Sequence, residues 1–290
     1  MAFVLTPDML LCPDCRSDRI AAQEGPPAGF KCGACGTFIE RRGPVINAVP
    51  KTLSGNTTAN LGHYEEMANS SDSLLDRRAK TRNHRIKFET IMGILGLGGD
   101  GPKKSVFEVG AGAGTHGAEF ARIGHHYVGL DLSATALYRA ARQNAALADA
   151  PLLAGDATRI PLRDNLFDTV FCVATLHHLP EPLDGLREMV RVLKPGGIFC
   201  FMEPRWCYPT QLYGYFQHPD VEVGTFKVMA GRLLRALRQC GVSELGVRCC
   251  VYTPNSPLFL IPAYDLVDRV CAAVPPLHAL SVVRCMHGVK

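Results

Sequence analysis

The stretch from Val106 to Phe120 constrains the fold of this chain more than any other. It reads VFEVGAGAGTHGAEF, so a short apolar strand, a turn with glycines at alternate positions and the start of a helix follow one another. Gly110, Gly112 and Gly114 lack a Cβ, which lets the backbone turn tightly and lets a ligand lie directly against it. The pattern therefore predicts a strand–turn–helix unit with a ligand at the turn.

Strands and helices alternate at a steady spacing after this unit. Further strands are predicted at 127–131, 152–156, 168–173, 198–202, near 243–251 and near 280–286. Helices are predicted between them, and Ser133 is expected to cap the helix after the second strand. With 47% hydrophobic residues the chain can bury a substantial core. The alternation predicts an α/β fold with a doubly wound, Rossmann-like, seven-stranded sheet and ligands at the carboxyl ends of its strands.

Three carboxylates fall at the ends of the first three strands: Glu108, Asp131 and Asp156. In a doubly wound sheet these ends are neighbours along one crevice. Asp131 lies 21 residues beyond Gly110, the distance at which an acid meets a ribose diol. The glycine spacing also satisfies the dinucleotide fingerprint, so a nicotinamide dinucleotide and an adenosyl ligand both fit these features.

Five ordered motifs separate the two ligands: VFEVGAGAG, GLDLS, GDATRIPLRDNLFD, ATLHHLPEP and LKPGGIF. Together they resemble the class I S-adenosylmethionine-dependent methyltransferases, in particular the methyltransferase type 11 group, over roughly residues 105–203. A dehydrogenase has no role for the third and fifth motifs. The resemblance implies S-adenosylmethionine as cofactor and an antiparallel last strand that pairs between the fifth and sixth.

The resemblance also implies a set of cofactor-binding residues. In order from the methionine end through the ribose to the base, they are Glu108, Gly110, Ala111, Gly112, Asp131, Leu132, Asp156 and Ala157. The backbone of Ala174 is implied to lie beside the methionine amine. These residues come from successive strand ends, so they are expected to form one continuous crevice.

Methyl transfer requires alignment of the acceptor, and a general base only when the acceptor is protonated. His177 and His178 follow the fourth strand, next to the expected position of the methyl group, and Glu203 ends the fifth. All three are candidate catalytic residues. The two histidines are candidate general bases, with packing or cofactor lining as the alternative role, and Glu203 is a candidate base or substrate anchor. The Pro- and aromatic-rich stretch 204–224 predicts an insert that forms a pocket wall or lid. Tyr64 is expected to close over the cofactor from an N-terminal helix.

Residues 1–50 contain a second, independent motif. Cys12, Cys15, Cys32 and Cys35 form two C-x2-C pairs separated by sixteen residues, which is the spacing of a four-cysteine zinc site. Four thiolates leave no open position on the metal, so a structural role is expected, with a four-thiolate iron–sulfur site as the alternative. The unit resembles zinc-ribbon partner subunits of methyltransferases and, less closely, the zinc finger of a ribosomal-RNA guanine methyltransferase family.

The predicted organisation is a zinc ribbon at 1–50, a polar linker at 51–60 and a methyltransferase domain at 61–290. The domain includes N-terminal helices and the insert. No apolar window reaches the ~18 residues of a membrane span, and the N-terminus lacks the pattern of a signal peptide. A cytoplasmic location is therefore expected.

Three functions remain open at this point. The favoured one is methyl transfer to a small molecule, with a structural or substrate-covering ribbon and the acceptor atom left open. The second is a ribosomal or transfer RNA methyltransferase that uses the ribbon and a basic helix, because residues 76–104 carry eight basic and three acidic side chains. Against it, the ribbon carries five basic and five acidic side chains, so it has no net positive charge with which to bind phosphates. The third is a non-catalytic module that binds S-adenosylmethionine.

Overall fold

The computed structural model describes residues 3–69, 82–99, 101–205, 209–253 and 260–290. In these ranges the strands are β1 (Ile20–Gln23), β2 (Gly29–Cys32), β3 (Phe38–Arg42), β4 (Val45–Asn47), β5 (Ser105–Val109), β6 (His126–Asp131), β7 (Leu152–Ala154), β8 (Phe167–Val173), β9 (Leu193–Pro204), β10 (Ser243–Cys250) and β11 (Val283–Val289). The α-helices are α1 (Gly55–Asn69), α2 (Arg82–Leu95), α3 (Thr115–Arg122), α4 (Ala134–Gln143), α5 (Pro182–Val192), α6 (Pro209–Gln217), α7 (Ala230–Gln239) and α8 (Ile261–Ala273).

Seven of these strands form the predicted Rossmann-like sheet, in the order β7-β6-β5-β8-β9-β11-β10. Neighbouring strands from β7 to β9 run parallel, and β11 pairs antiparallel with both β9 and β10. The expected antiparallel last strand between the fifth and sixth is therefore confirmed. β5 is buried along its whole length because helices cover both faces of a parallel sheet.

The alternation of side chains along β5 divides the core between the two faces of the sheet. Phe107 and Val109 belong to one buried cluster, and Val106 belongs to the other, because successive side chains of a strand point to opposite faces. The predicted cap is also present, since the Ser133 hydroxyl accepts a hydrogen bond from the Ala136 N–H at 3.0 Å.

The cysteine-containing segment, predicted as a zinc ribbon at 1–50, is joined to the Rossmann-like sheet in the structure. Its strand β4 pairs parallel with β7, so that β1 to β4 extend the same sheet to eleven strands. Leu10, Phe30 and Ile46 lie in the same buried cluster as Phe107. Without β4, β7 would be an edge strand with unpaired backbone groups, and β4 satisfies those groups.

The predicted linker at 51–60 is shorter in the structure, because α1 begins at Gly55. The Ser54 hydroxyl accepts a hydrogen bond from the Thr57 N–H at 3.2 Å and so caps the helix. Part of the predicted basic helix (76–81) and Trp206 of the predicted insert lie outside the described residues. In the part of the chain that the structure describes, no helix combines the length and hydropathy needed to cross a bilayer.

Candidate active site

The glycine turn after β5 is packed against the ends of two neighbouring strands. Gly110 has φ +79°, and its N–H and that of Ala111 donate to the Leu130 carbonyl at 2.8 and 2.9 Å. A Cβ at Gly110 would lie 2.1 Å from the Thr175 hydroxyl, so no larger residue fits. The turn therefore needs glycine for its backbone conformation and for the close approach of the turn after β8.

Asp131 is fixed at the end of β6 by two backbone donors. Its Oδ2 accepts from the Gly112 N–H at 2.7 Å, and its Oδ1 accepts from the Ser133 N–H at 2.9 Å. Burial raises the pKa of this carboxyl, while the N–H donors act in the opposite direction. Since a carboxylate offers about four lone-pair sites, each oxygen of Asp131 keeps capacity for a ligand hydroxyl.

Asp156 occupies the corresponding position after β7. Its Oδ1 accepts from the Thr158 N–H at 2.8 Å and from the Thr158 hydroxyl at 2.7 Å, which caps the short turn that begins with Ala157. The cysteine segment touches this turn, because Arg159 Nη2 donates to the Asp14 carbonyl at 3.0 Å. Arg16 Nη1 also donates to the Ile160 carbonyl at 2.6 Å. The loop that carries Asp156 is therefore supported by the cysteine segment.

Glu108 differs from the other two strand-end carboxylates, because only 2% of it is exposed. The Tyr127 hydroxyl donates to its Oε2 at 2.7 Å, and His116 Nδ1 lies 3.6 Å from its Oε1. Burial raises the pKa of Glu108 to about 8 and lowers the pKa of His116 to about 3. The side chain is thus held inside the protein by β6 and α3, whereas Gly110 and Gly112 are half-exposed at the crevice.

Ala174 begins the turn after β8 in a left-handed conformation, with φ +54°. Such a φ is uncommon for a residue with a Cβ and costs on the order of 1–3 kcal/mol, which the surrounding structure must offset. Its N–H donates to the Met202 carbonyl at 2.8 Å, so a contact with a methionine amine would use the Ala174 carbonyl oxygen.

Glu203 is 2% exposed and holds the turn after β8 together. Its Oε1 accepts from the backbone N–H groups of Thr175 and Leu176 at 3.1 and 2.8 Å. Its Oε2 lies 2.7 Å from His177 Nδ1. Both oxygens of Glu203 therefore position the histidine turn, and its role as base or substrate anchor stays a prediction.

His177 and His178 lie side by side, with ring centroids 4.0 Å apart. His177 Nε2 is 3.6 Å from one oxygen of Glu222, and His178 Nδ1 is 3.9 Å from the other. Tyr64 is predicted to close over the cofactor. In the structure its hydroxyl lies 2.8 Å from His178 Nε2, so it contacts the histidine turn. Sequence reasoning missed Glu222, whose position in the insert 204–224 was the one available signal.

Helix α1 spans the crevice from the ribose side to the histidine turn. Glu65 Oε1 accepts from the Ser133 hydroxyl at 2.7 Å, at the start of α4. One turn earlier, Asn60 Nδ2 donates to the His178 carbonyl at 2.7 Å. Both residues were missed by sequence reasoning, because nothing in the local pattern indicates which face of α1 points inward.

The four predicted metal ligands converge. Cys12 Sγ is 3.5 Å from Cys35 Sγ, Cys15 Sγ is 3.6 Å from Cys32 Sγ, and all four sulfurs lie within 4.8 Å of one another. A tetrahedral site with Zn–S bonds of about 2.3 Å has sulfur–sulfur edges of about 3.8 Å, so this donor set fits zinc.

Comparisons with known proteins find similarity to methyltransferases in the part of the chain that forms the crevice. Residues 107–201 match a protein family described as a methyltransferase domain. The demethylmenaquinone methyltransferase of Beutenbergia cavernae is 36% identical over 118 residues, which are 40% of this chain and 48% of that protein. The chain thus spans about half the length of the curated relatives it matches.

Solved structures share the fold at low identity. An S-adenosylmethionine-dependent methyltransferase from Thermotoga maritima has a TM-score of 0.53 and 17% identity, over 79% of this chain and 100% of that one. A chain from the complex between a methyltransferase activator and a methyltransferase of Haloferax volcanii has a TM-score of 0.53 and 21% identity, over 78% and 96%. Residues 107–201 therefore resemble a methyltransferase domain, and the chain shares its fold with these S-adenosylmethionine-dependent methyltransferases.

Proposed function

We propose that this protein is an S-adenosylmethionine-dependent methyltransferase that acts on a small molecule. The observation that carries the proposal is Asp131, whose two oxygens are fixed by the Gly112 and Ser133 N–H groups at the crevice beside the glycine turn. The matched family and the names of the curated relatives support the same activity.

The predicted cofactor residues other than Glu108, which is buried, have the following roles in this proposal. Asp131 and Leu132 hold the ribose and one side of the adenine, and Asp156 with Ala157 holds the base. The glycine turn and the Ala174 carbonyl receive the methionine end. When bound, the cofactor supplies a methyl group on a sulfonium sulfur, which is already activated, so the protein has to align the acceptor and exclude water.

The acceptor side of the crevice carries His177, His178, Tyr64 and Glu222, within the distances given above. An acceptor placed there would meet the imidazole nitrogens of both histidines. A small molecule is supported by the curated relatives, whose names specify demethylmenaquinone as the substrate of those proteins.

The cysteine segment is proposed to hold structural Zn2+. Four thiolates complete the tetrahedral coordination, so the metal would stabilise the fold and leave the chemistry to the crevice. Its contacts with the turn after β7, through Asp14 and Arg16, support a stabilising role next to the cofactor site.

The RNA alternative depends on the basic side chains of 76–104. Several of them form ion pairs or hydrogen bonds with other residues of the chain. The Arg82 side chain is 3% exposed and pairs with Asp265 at 2.6 Å and with Asp268 at 2.8 Å. Lys103 and Lys104 donate to the carbonyls of Ile123 and Leu95. These interactions favour a small molecule over a polyanionic acceptor.

The proposal is tested by incubating the purified protein and cell extract with S-adenosylmethionine labelled in the methyl group. We expect label in the small-molecule fraction and none in RNA. Label in RNA that is lost steeply with added salt would support the RNA alternative. Cofactor binding by calorimetry with no transfer to any fraction would support the non-catalytic module.

A further inference from the structure

A group of three side chains on the acceptor side has the composition of a metal site. The group consists of His177, His178 and Glu222, and one potential ligand atom of each lies within 4.8 Å of the others. We propose that this group binds a divalent metal ion, which in turn binds a hydroxyl group of the acceptor. The metal site itself stands on the three side chains, and its part in methyl transfer rests on the proposed function.

The contacts of His177 are those of a metal ligand with an outer carboxylate. Its Nδ1 is 2.7 Å from Glu203 Oε2, and Glu203 in turn accepts from two backbone N–H groups. A carboxylate that receives the proton of one ring nitrogen leaves the lone pair on the other. The lone pair of Nε2 therefore points toward Glu222, whose Oε2 is 3.6 Å away.

In His178 the two ring nitrogens exchange these roles, so that Nδ1 faces Glu222 and Nε2 faces the supporting side chain. Its Nε2 contacts the Tyr64 hydroxyl at 2.8 Å, and its Nδ1 lies 3.9 Å from Glu222 Oε1. The Val221 carbonyl is also 3.3 Å from Nδ1, so the competing interpretation is a proton on Nδ1 that is donated to Val221. In that tautomer Nδ1 has no lone pair for a metal, and the two interpretations make opposite predictions for metal binding.

The two distances between a histidine nitrogen and a Glu222 oxygen need only a small change to suit metal coordination. Metal–nitrogen and metal–oxygen bonds of about 2.0–2.2 Å place neighbouring ligand atoms about 3 Å apart. The observed separations of 3.6 and 3.9 Å would therefore shorten by less than about 1 Å. The side chains are 5%, 18% and 16% exposed for His177, His178 and Glu222, so the site is shielded but open to one side.

Two histidines and one carboxylate leave coordination positions open, as in catalytic metal sites. A metal-bound hydroxyl ionises more readily, so its proton leaves to solvent and no general base is needed. The resulting oxygen attacks the methyl carbon, the carbon–sulfur bond breaks, and its electron pair stays on sulfur as a neutral thioether. The proposed substrate class is therefore a small molecule that presents a hydroxyl group.

The test uses Co2+ alone with the full-length, zinc-loaded protein. We expect one Co2+ per chain by calorimetry, with a visible spectrum that lacks thiolate charge-transfer bands. Glu222→Gln and His178→Asn should each weaken binding by at least tenfold. Glu66→Gln is the matched control, because Glu66 is an exposed acid on α1 outside the three-residue group.

Equal Co2+ affinity in the wild type, Glu222→Gln and His178→Asn would overturn the proposal, as would an equal loss in the Glu66→Gln control. S-adenosylmethionine affinity, measured separately, should be unchanged in Glu222→Gln. If the wild-type protein binds Co2+ as described but not S-adenosylmethionine, the proposed function fails while the metal site stands. The converse result removes the metal site alone.

Discussion

The cofactor side and the acceptor side of the crevice are built in different ways. On the cofactor side, Asp131 and Asp156 each accept from an N–H group two residues further along, Ser133 and Thr158. On the acceptor side, His177 depends on Glu203 in another strand, and His178 depends on Tyr64, 114 residues earlier. The first side is fixed in part by local turns, together with the Gly112 N–H and the cysteine segment, whereas the second is fixed by packing between distant elements.

This difference indicates how the two sides would respond to change. Local turns persist wherever strand and helix meet in this order, so the cofactor side should tolerate substitutions elsewhere. The acceptor side requires α1, the turn after β8, β9 and the segment around Glu222 to be in place together. Substitutions that separate these two responses sharpen the comparison, and substitutions that affect both equally would contradict it.

The largest effect is expected from Cys32→Ser, which removes one of the four sulfur ligands. Because the cysteine segment shares the sheet and the buried core, we expect loss of the metal and of at least ~3 kcal/mol of stability, or roughly 5 °C in Tm. Metal analysis and calorimetric unfolding measure both. Cys240→Ser is the control, since Cys240 lies outside the four-cysteine group. An unchanged Tm with the metal lost would show that β4 holds its place without it.

Asp131→Ala should weaken S-adenosylmethionine binding by ~1.5–3 kcal/mol, because it removes a charged acceptor and releases the Gly112 N–H. Asp131→Asn keeps one acceptor oxygen and should lose less. Isothermal titration measures both variants, with the exposed Asp149→Ala as control. Metal binding on the acceptor side should be unaffected. Unchanged cofactor affinity in Asp131→Ala would refute the ribose assignment.

Glu203→Gln should act on the acceptor side alone. The amide can still accept from the two backbone N–H groups, but its NH2 would face His177 Nδ1 and shift the ring proton to Nε2. We expect turnover to fall by roughly 10–100-fold with cofactor affinity unchanged. The pH profile of turnover should also move, because the state of the imidazole changes. A fall in cofactor affinity of similar size would mean that Glu203 supports the whole crevice.

The smallest effect is expected from Glu108→Gln. Burial raises the pKa of Glu108 from 4.5 to about 8. Below pH 4.5 the carboxyl is protonated in both states, and between 4.5 and 8 mainly the unfolded state ionises. Glu108 therefore makes stability fall as pH rises through that interval. Above pH 8 the variant should therefore be more stable than wild type, because the amide does not have to be kept neutral inside the protein.

Chemical unfolding at pH 5 and pH 8.5 measures this difference, and the two proteins should converge at the lower pH. His116, with its pKa lowered to about 3, gives both proteins a separate decline in stability as pH falls below about 6.5. Parallel curves for wild type and variant from pH 5 to 8.5 would mean that Glu108 is ionised throughout in the folded protein.

Sequence patterns were informative where structure is local. Residue spacing predicts the glycine turn, the Ser133 cap and the succession of strands β5 to β11 along the chain, because strand and helix periods are short. The role of Glu203 did not follow, since a carboxylate at a strand end reads the same whether it faces solvent or two backbone N–H groups. Glu65 gave no local signal, and the one signal for Glu222 was its position in the insert 204–224.

The sequence by itself determined a Rossmann-like sheet whose motifs resemble those of methyltransferases, with acids at successive strand ends and four cysteines spaced for one metal. Only the tertiary structure decided that β4 continues the sheet through β7, and that Glu203, His177, His178 and Glu222 meet. The physical reason is that backbone periodicity fixes which residues share an element. The pairing of elements is chosen by burial and by hydrogen bonds across long sequence separations.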